Sequence, residues 1–92
     1  MAEIERSYFV VRNGNDFEGA LICRTDKGYK WKYQFPDLAD ESHQHYANPD
    51  IAENYLRLRL EAILNIDVFQ KHWTWAKRLL QRIDVNKFEL IG

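Results

Sequence analysis

Alternating apolar and polar positions predict β-strands in the first third of the chain. The clearest run is Tyr29, Lys30, Trp31, Lys32, Tyr33, Gln34 and Phe35, in which aromatic residues alternate with polar ones. This period of two places the aromatic side chains on one sheet face. Earlier β-rich runs at 6–12 and 17–24 flank Asn13-Gly14-Asn15-Asp16, a hairpin signal because Asn and Gly tolerate positive φ. With Gly28 in the next turn and Pro36 ending the third run, we predict an antiparallel meander.

The middle of the chain changes from strand to helix. Residues 37–47 contain no Lys or Arg and have little periodicity, so we expect a surface loop with at most one helical turn. Asn48-Pro49 is expected to begin a helix, because Asn caps free N–H groups and Pro suits the first position. The predicted inner stripe is Ile51, Tyr55, Leu58 and Ala62, widened by Ala52, Leu56 and Ile63, with Leu60 and Leu64 further round. So wide an apolar face suggests contact with a sheet and a second helix, or with a partner.

A second helix is expected after Asn65. Asp67 and Gln70 have the spacing of a capping box. The predicted inner stripe of this helix is Phe69, Trp73, Ala76, Leu80 and Ile83. Asp84-Val85-Asn86 interrupts the pattern, and residues 88–91 are expected to form a final strand at the sheet edge. The predicted fold is α+β, a single domain over residues 1–92. A three- to four-stranded antiparallel sheet packs on two helices in the order β-β-β-α-α-β.

Composition narrows the class of protein. The 92 residues are 46% hydrophobic and 29% charged, which is enough to build one core. The formal charge of -1 argues against bulk nucleic acid or an anionic membrane as the main partner. The apolar runs are too short for a transmembrane helix, and the acidic start does not resemble a signal peptide. Cys23 is the single cysteine and cannot form an internal disulfide, so we expect a cytoplasmic protein.

Only one segment of the sequence has the composition of a metal site. Asp40, Glu41, His43 and His45 could supply a carboxylate and two imidazoles, as in a three-ligand zinc site. The usual second pair of ligands is missing, and His72 is the only other histidine. A solvated polar loop is the simpler interpretation, so we predict neither a metal nor a cofactor.

Familiar catalytic patterns are missing from the sequence. Cys23 follows Ala20, Leu21 and Ile22 on a predicted strand, where a cysteine usually behaves as a small buried apolar residue. Neither Ser7 nor Ser42 lies in a Gly-x-Ser-x-Gly turn, and the sequence contains no glycine-rich phosphate loop. We therefore predict no catalytic residues and expect that the protein is not an enzyme.

Basic residues concentrate in two predicted elements. Arg24 to Lys32 holds four basic residues against one acidic, and Lys30 and Lys32 belong to the third strand. The aromatic residues between them could stack on bases, although a core role is simpler. The second helix, from Asp67 to Asp84, carries four basic residues, Lys71, Lys77, Arg78 and Arg82, against two aspartates, a local charge of +2. Such a basic face either contacts nucleic acid or is an ordinary soluble surface.

Two further features complete the predicted binding residues. Trp75 falls at the rim of the apolar stripe of the second helix and is expected to be partly exposed, as are many tryptophans at binding hot spots. The linker from Pro36 to Asp50 carries a charge of -4, to which Asp40 and Glu41 contribute. Separated charge patches suit a partner with mixed protein and nucleic acid surfaces, although a random surface distribution explains them equally well.

Three classes of function remain open. The first is a non-catalytic interaction protein that binds a larger assembly. The second is a small nucleic-acid-binding module that uses the basic sheet and helix residues. The third is a small enzyme or metal protein built on His43 and His45.

The chain resembles the small single-domain accessory proteins of bacteriophages, and among them the anti-CRISPR inhibitors, including those of type I-F surveillance complexes. The resemblance lies in its 92 residues, its Met1-Ala2-Glu3 start without a targeting signal, and an α+β pattern without an enzyme motif. These inhibitors share no common signature, so no residue role is transferred. The resemblance implies a protein of the bacterial host cytoplasm that binds Cas proteins and guide RNA and blocks target DNA. The basic residues would then contact guide RNA, and the acidic linker would meet the lysines that hold DNA.

Overall fold

The computed structural model describes the backbone of residues 3–13, 16–35 and 38–91, and the side chains of residues 3–8, 18–35 and 38–84. Four antiparallel strands form one sheet in the order β1-β2-β3-β4: β1 (Glu3–Asn13), β2 (Asp16–Thr25), β3 (Gly28–Phe35) and β4 (Leu38–Glu41). The predicted meander is confirmed, since Asn13 pairs with Asp16 and Thr25 pairs with Gly28. The predicted hairpin residues Gly14 and Asn15 and the predicted terminator Pro36 lie outside the described residues.

Two helices follow the sheet along the chain. Helix α1 (Pro49–Leu64) begins as predicted, because the Asn48 side chain accepts a hydrogen bond of 2.9 Å from the backbone N–H of Ile51. A 3₁₀ segment (Asp67–His72) precedes helix α2 (Trp73–Ile91). The predicted capping box does not form, because Ile66 occupies the cap position of the 3₁₀ segment without a side-chain hydrogen bond.

The predicted class is confirmed as α+β, but the predicted position of the fourth strand is wrong. Residues 88–91 belong to α2, and the fourth strand is β4, so the order is β-β-β-β-α-α. Asp84-Val85-Asn86 does not interrupt α2, because each of these residues costs less than about 1 kcal/mol relative to alanine in a helix. Strand β4 pairs locally with β3, from Phe35 opposite Leu38 onward, and a short connection costs little chain entropy.

The helices cover one face of the sheet. Trp31, Tyr33 and Phe35 of β3 are buried on this face, as the alternation predicts, while Lys32 is exposed. The buried core contains Tyr8, Ala20, Ile22, Trp31, Tyr33, Phe35, Ala52, Leu56, Leu60, Ile63, Ala76, Leu79 and Ile83. Among the described residues, neither helix combines the length and the apolar character needed to cross a bilayer.

The predicted inner stripe of α1 is wrong. Ile51, Tyr55 and Leu58 are 37%, 48% and 57% exposed, whereas the set expected only to widen the stripe is the buried one. Glu53 lies on the buried side and bonds to Tyr8 of β1, which fixes the side of α1 that meets the sheet. Periodicity could not choose between the sides, because apolar residues occur around most of α1.

The loop between β4 and α1 is tied to β3. The backbone N–H and C=O of Tyr29 both bond to Tyr46, at 2.9 and 2.8 Å. Gly28 has a φ of +129°, and a Cβ at this position would lie 2.7 Å from the Tyr46 carbonyl oxygen. A glycine is therefore required both for the turn and for the close approach of the loop. This anchorage fixes the residues that lead into α1.

Candidate interaction surfaces

The fold separates the predicted basic residues into two groups on opposite layers. Lys30 and Lys32 pair directly opposite Cys23 and Leu21 of β2, on the sheet face that points away from the helices. The other four belong to the helical layer, where all are exposed: Lys71, Lys77, Arg78 and Arg82. No single surface therefore contains the whole predicted set. We call the second group the α2 basic surface.

Lys77, Arg78 and Arg82 of the α2 basic surface lie on the solvent side of α2, and Lys71 lies in the 3₁₀ segment that precedes this helix. Ala76, Leu79 and Ile83 bury the opposite side of this helix. Arg78 and Arg82 are one helical turn apart, so their like charges repel by a few tenths of a kcal/mol. Among the described side chains, no carboxylate forms an ion pair with any of the four cations. The surface is thus positively charged within a chain whose net charge is -1.

The acidic residues are bonded within the chain. Asp40 lies 3.3 Å from the Arg59 guanidinium, and Glu41 lies 3.4 Å from the Lys30 ammonium. Asp50 accepts a hydrogen bond of 2.7 Å from Arg6. The predicted acidic patch is therefore largely balanced by cations of the same chain, and Asp37 lies outside the described residues.

Trp75 is half-buried at the rim of the core, as predicted. Its ring stacks on Phe35 with a centroid distance of 3.6 Å and an interplanar angle of 15°. Its Nε1–H donates a hydrogen bond of 3.0 Å to Nδ1 of His72, which is buried. Because Phe35 covers one face of the ring, Trp75 cannot be sandwiched between two bases, and only its exposed part is open to a partner.

Sequence reasoning missed an exposed apolar surface on α1. Ile51, Tyr55, Leu58 and Ala62 recur at helical spacing, and we call these four residues the α1 outer stripe. Tyr55 also stacks on Tyr46 with a centroid distance of 4.7 Å. Of the six exposed large apolar side chains among the described residues, five fall between 51 and 68. The signal for this exposed surface in the sequence is the width of the apolar face of α1, which is wider than one sheet and one second helix can cover.

The residues considered for metal binding or nucleophilic chemistry are dispersed. His43 and His45 are exposed in the loop before α1. The described part of the chain contains no group of three or more His, Cys, Asp or Glu side chains close enough to hold a metal ion. Burial raises the pKa of the Cys23 thiol, although Lys32 and Lys30 act in the opposite direction. A raised pKa leaves less of the reactive thiolate at neutral pH.

One buried polar cluster connects β1 with α1. The Tyr8 hydroxyl donates a hydrogen bond to the Glu53 carboxylate, and an Arg6 nitrogen lies 3.4 Å from the same carboxylate. Burial is the main cause that raises the pKa of Tyr8, and the hydrogen bond to Glu53 adds to it. Because a buried carboxylate needs such partners, this cluster stabilises the contact between the two elements.

Comparison with models of known protein families finds no match to the chain, and comparisons with curated proteins and with solved structures find none either. Function is therefore inferred from the surfaces of the chain itself.

Proposed function

We propose that the chain is a non-catalytic interaction protein that binds and blocks a larger protein or ribonucleoprotein assembly through the α2 basic surface. The observation that supports this proposal is the distribution of charge. The described cations of β1 and α1, and Lys30 of β3, form ion pairs within the chain. The four cations of the α2 basic surface form none with described residues, and neither do Arg24, Lys27 and Lys32 of the β2–β3 hairpin. A surface of this kind attracts an anionic partner and increases the rate of encounter.

Blocking by occupancy requires no chemistry. The cations would contact phosphates or carboxylates of the assembly, and the folded domain would then cover the site that another ligand uses. Arginine suits this role because its planar guanidinium forms two parallel hydrogen bonds with a phosphate or carboxylate. The exposed part of Trp75 lies one turn from Arg78 and adds apolar contact area beside the charges.

The resemblance to phage anti-CRISPR inhibitors gives the proposal a specific partner. The assembly would be a type I-F surveillance complex in the bacterial cytoplasm, composed of Cas proteins and guide RNA. The α2 basic surface would then lie against guide RNA or an acidic Cas surface, and the bound protein would prevent target DNA from entering.

A small nucleic-acid-binding module is the second candidate function. The same four cations favour it, because phosphate contacts supply most of the affinity for nucleic acid. The two candidate functions differ in whether free nucleic acid is sufficient for binding. A nucleic-acid module binds a free oligonucleotide, whereas an inhibitor of an assembly requires the protein subunits.

A capture experiment with matched charge variants tests the proposal. Tagged protein is mixed with purified type I-F surveillance complex, with nuclease-treated complex, and with a free oligonucleotide. Arg78→Glu/Arg82→Glu changes the α2 basic surface. Lys27→Glu/Lys32→Glu makes the same change in charge in the β2–β3 turn and on the outer sheet face, where both lysines are exposed.

We expect the intact chain and the sheet variant to bind the complex equally. The α2 variant should bind at least about tenfold more weakly, which corresponds to about 1.4 kcal/mol. Equal binding by both variants would contradict the role of the α2 basic surface. Binding to the oligonucleotide alone would favour the nucleic-acid module, and absence of binding to the complex would contradict the anti-CRISPR assignment.

A further inference from the structure

The hydrogen bond between Trp75 and His72 fixes the protonation state of the imidazole. An indole N–H can only donate, so Nδ1 of His72, which accepts this bond at 3.0 Å, carries no proton. An imidazolium carries protons on both ring nitrogens and would turn a second donor toward the indole N–H. We infer that His72 is an acid-sensitive switch, whose protonation breaks this bond and releases Trp75 from its fixed orientation beside the α2 basic surface.

The surroundings of His72 favour a change of position when the ring gains a charge. His72 is 6% exposed, and its ring lies 6.2 Å from the Phe69 ring and 5.6 Å from the Trp75 ring, measured between centroids. A charged group among aromatic rings needs water or a counter-charge to be stable. Protonation therefore favours a ring that has turned away from Trp75 toward water.

The described residues supply no counter-charge that would hold the imidazolium in place. The charged residues of the 3₁₀ segment and of the adjoining turns of α1 and α2 are Asp67, Lys71, Glu61, Lys77 and Arg78. All five are exposed, and neither of the two carboxylates forms an ion pair with the imidazole. Strand β3 contributes only the apolar ring of Phe35, which stacks on Trp75.

Trp75 connects the switch with the α2 basic surface. Arg78 and Arg82 follow Trp75 by three and seven residues within α2, so the three side chains share one face over about 10 Å of the helix axis. Without the bond to His72, the indole loses its polar anchor, and its exposed part is no longer fixed beside the two arginines. The effect on binding rests on the proposed function, whereas the release of Trp75 is a property of the chain alone.

Trp73 provides an internal comparison for Trp75. The Trp73 Nε1–H donates a hydrogen bond of 2.9 Å to the backbone carbonyl oxygen of Ile63, which does not titrate. The Trp31 Nε1–H has no hydrogen-bond partner among the described residues. Of the three indole groups of the chain, only that of Trp75 should therefore respond to the protonation of a histidine.

¹H–¹⁵N NMR spectra of the indole groups between about pH 8 and pH 5 test the switch, because histidines titrate in this range. The Trp75→Phe variant identifies the Trp75 signal by its absence. We expect the Trp75 proton signal to move upfield as the pH falls, with the same midpoint as the ring signals of His72, and the Trp73 signal to stay constant. A constant Trp75 signal, or a midpoint different from that of His72, would overturn the inference.

Two variants separate His72 from the other histidines. His72→Asn retains a side-chain acceptor that does not titrate, so the Trp75 signal should become independent of pH. His43→Gln/His45→Gln removes the two exposed histidines of the loop and should leave the pH dependence unchanged. Circular dichroism shows whether each variant is folded. If His72→Asn does not fold, the ring ¹⁵N shifts of the intact chain decide, since a proton on Nδ1 of His72 at about pH 8 would contradict the switch.

Capture of the surveillance complex at about pH 7.5 and about pH 5.5 measures the effect on binding. We expect the intact chain to lose more binding at the lower pH than the His72→Asn variant loses. Equal losses, with the NMR shift present, would contradict the contribution of Trp75 to binding and leave the switch in place. A missing NMR shift would overturn the switch and leave the proposed function untouched.

Discussion

Glu53 is an acidic residue on the buried side of α1, where its carboxylate is only slightly exposed to solvent. Burial of a charge costs several kcal/mol unless hydrogen bonds or counter-charges replace the water. Here Tyr8 donates a hydrogen bond and Arg6 provides the counter-charge. The cluster therefore stabilises the contact of β1 with α1 as long as all three groups are present and Tyr8 keeps its proton.

We predict that the free energy of unfolding falls above about pH 10, the usual pKa of tyrosine. The pKa values of Tyr8 and Tyr33 are raised, chiefly by burial. Between the unfolded and the raised folded pKa, the unfolded chain has lost a proton that the folded chain keeps. Stability is therefore complete below about pH 10 and decreases above it, by up to about 1.4 kcal/mol per pH unit for each tyrosine.

Urea unfolding of the Tyr8→Phe variant between about pH 8 and pH 11 checks this prediction. At the lower pH the variant should be less stable by about 1–3 kcal/mol, because Glu53 loses a hydrogen-bond donor. Its alkaline decrease should be shallower than that of the intact chain. Tyr55→Phe is the control, since Tyr55 is about half exposed. Equal alkaline slopes for Tyr8→Phe and the intact chain would contradict the prediction.

At the scale of elements, Asn48 is the residue that starts α1. We predict that Asn48→Ala lowers the free energy of unfolding by about 1 kcal/mol, because the Ile51 N–H loses its side-chain acceptor. Asn48→Asp retains an acceptor oxygen and should be close to the intact chain. Thermal or urea unfolding of the three proteins measures the difference. If the aspartate variant were as unstable as the alanine variant, the cap hydrogen bond would not be the cause.

The elements differ in how well the sequence predicts them. The three long strands and the start of α1 carry local signals, namely period-two alternation, turn residues and an Asn-Pro cap, and the structure confirms them. Strand β4 has four residues, too few to show a period, and its pairing with β3 supplies its stability. The pattern does not predict the continuation of α2 through residues 84–91, because Asp84, Val85 and Asn86 are weak helix formers whose propensities resemble a helix end.

The two faces of α1 show a different limit. Ile51 and Leu56 are equally apolar, yet only Leu56 is fully buried. The choice depends on long-range contacts, such as the bond of Tyr8 to Glu53, and no periodicity within α1 encodes them. The width of the apolar face nevertheless indicated surplus apolar surface on α1, and Ile51, Tyr55 and Leu58 are exposed.

At the scale of the whole molecule, the sequence predicts which residues are charged but not how these charges are paired and arranged on the surface. The sequence identified the basic and acidic residues, but their pairing required the fold. Asp40 and Glu41 are predicted to contact a partner, and the fold shows that they also bond to Arg59 and Lys30 of the same chain. Lys32 and Arg78 were expected to act together and instead lie on opposite layers. The ion pairs of Asp40 with Arg59 and of Glu41 with Lys30 join different elements of the fold, so local composition does not reveal them.

This distribution of charge predicts that salt affects binding and folding differently. Apart from the buried Arg6–Glu53 contact, the described ion pairs involve partly or largely exposed carboxylates, such as Asp50 and Asp84, and exposed pairs contribute about 0–1 kcal/mol each. We therefore expect the free energy of unfolding to change by less than about 1 kcal/mol between roughly 0.05 and 0.5 M sodium chloride. Binding through the α2 basic surface should weaken steeply over the same range.

Urea unfolding and capture by the surveillance complex, performed at the same two salt concentrations, compare these effects. The Arg78→Glu/Arg82→Glu variant is the control, because its residual binding should have lost most of the salt dependence while its stability remains near that of the intact chain. Arg78 and Arg82 form no ion pair with a described residue, so their reversal breaks none of those described. Steep loss of stability with salt would show that ion pairs hold the fold together. Salt-independent capture would show that apolar contacts, and not the α2 basic surface, hold the partner.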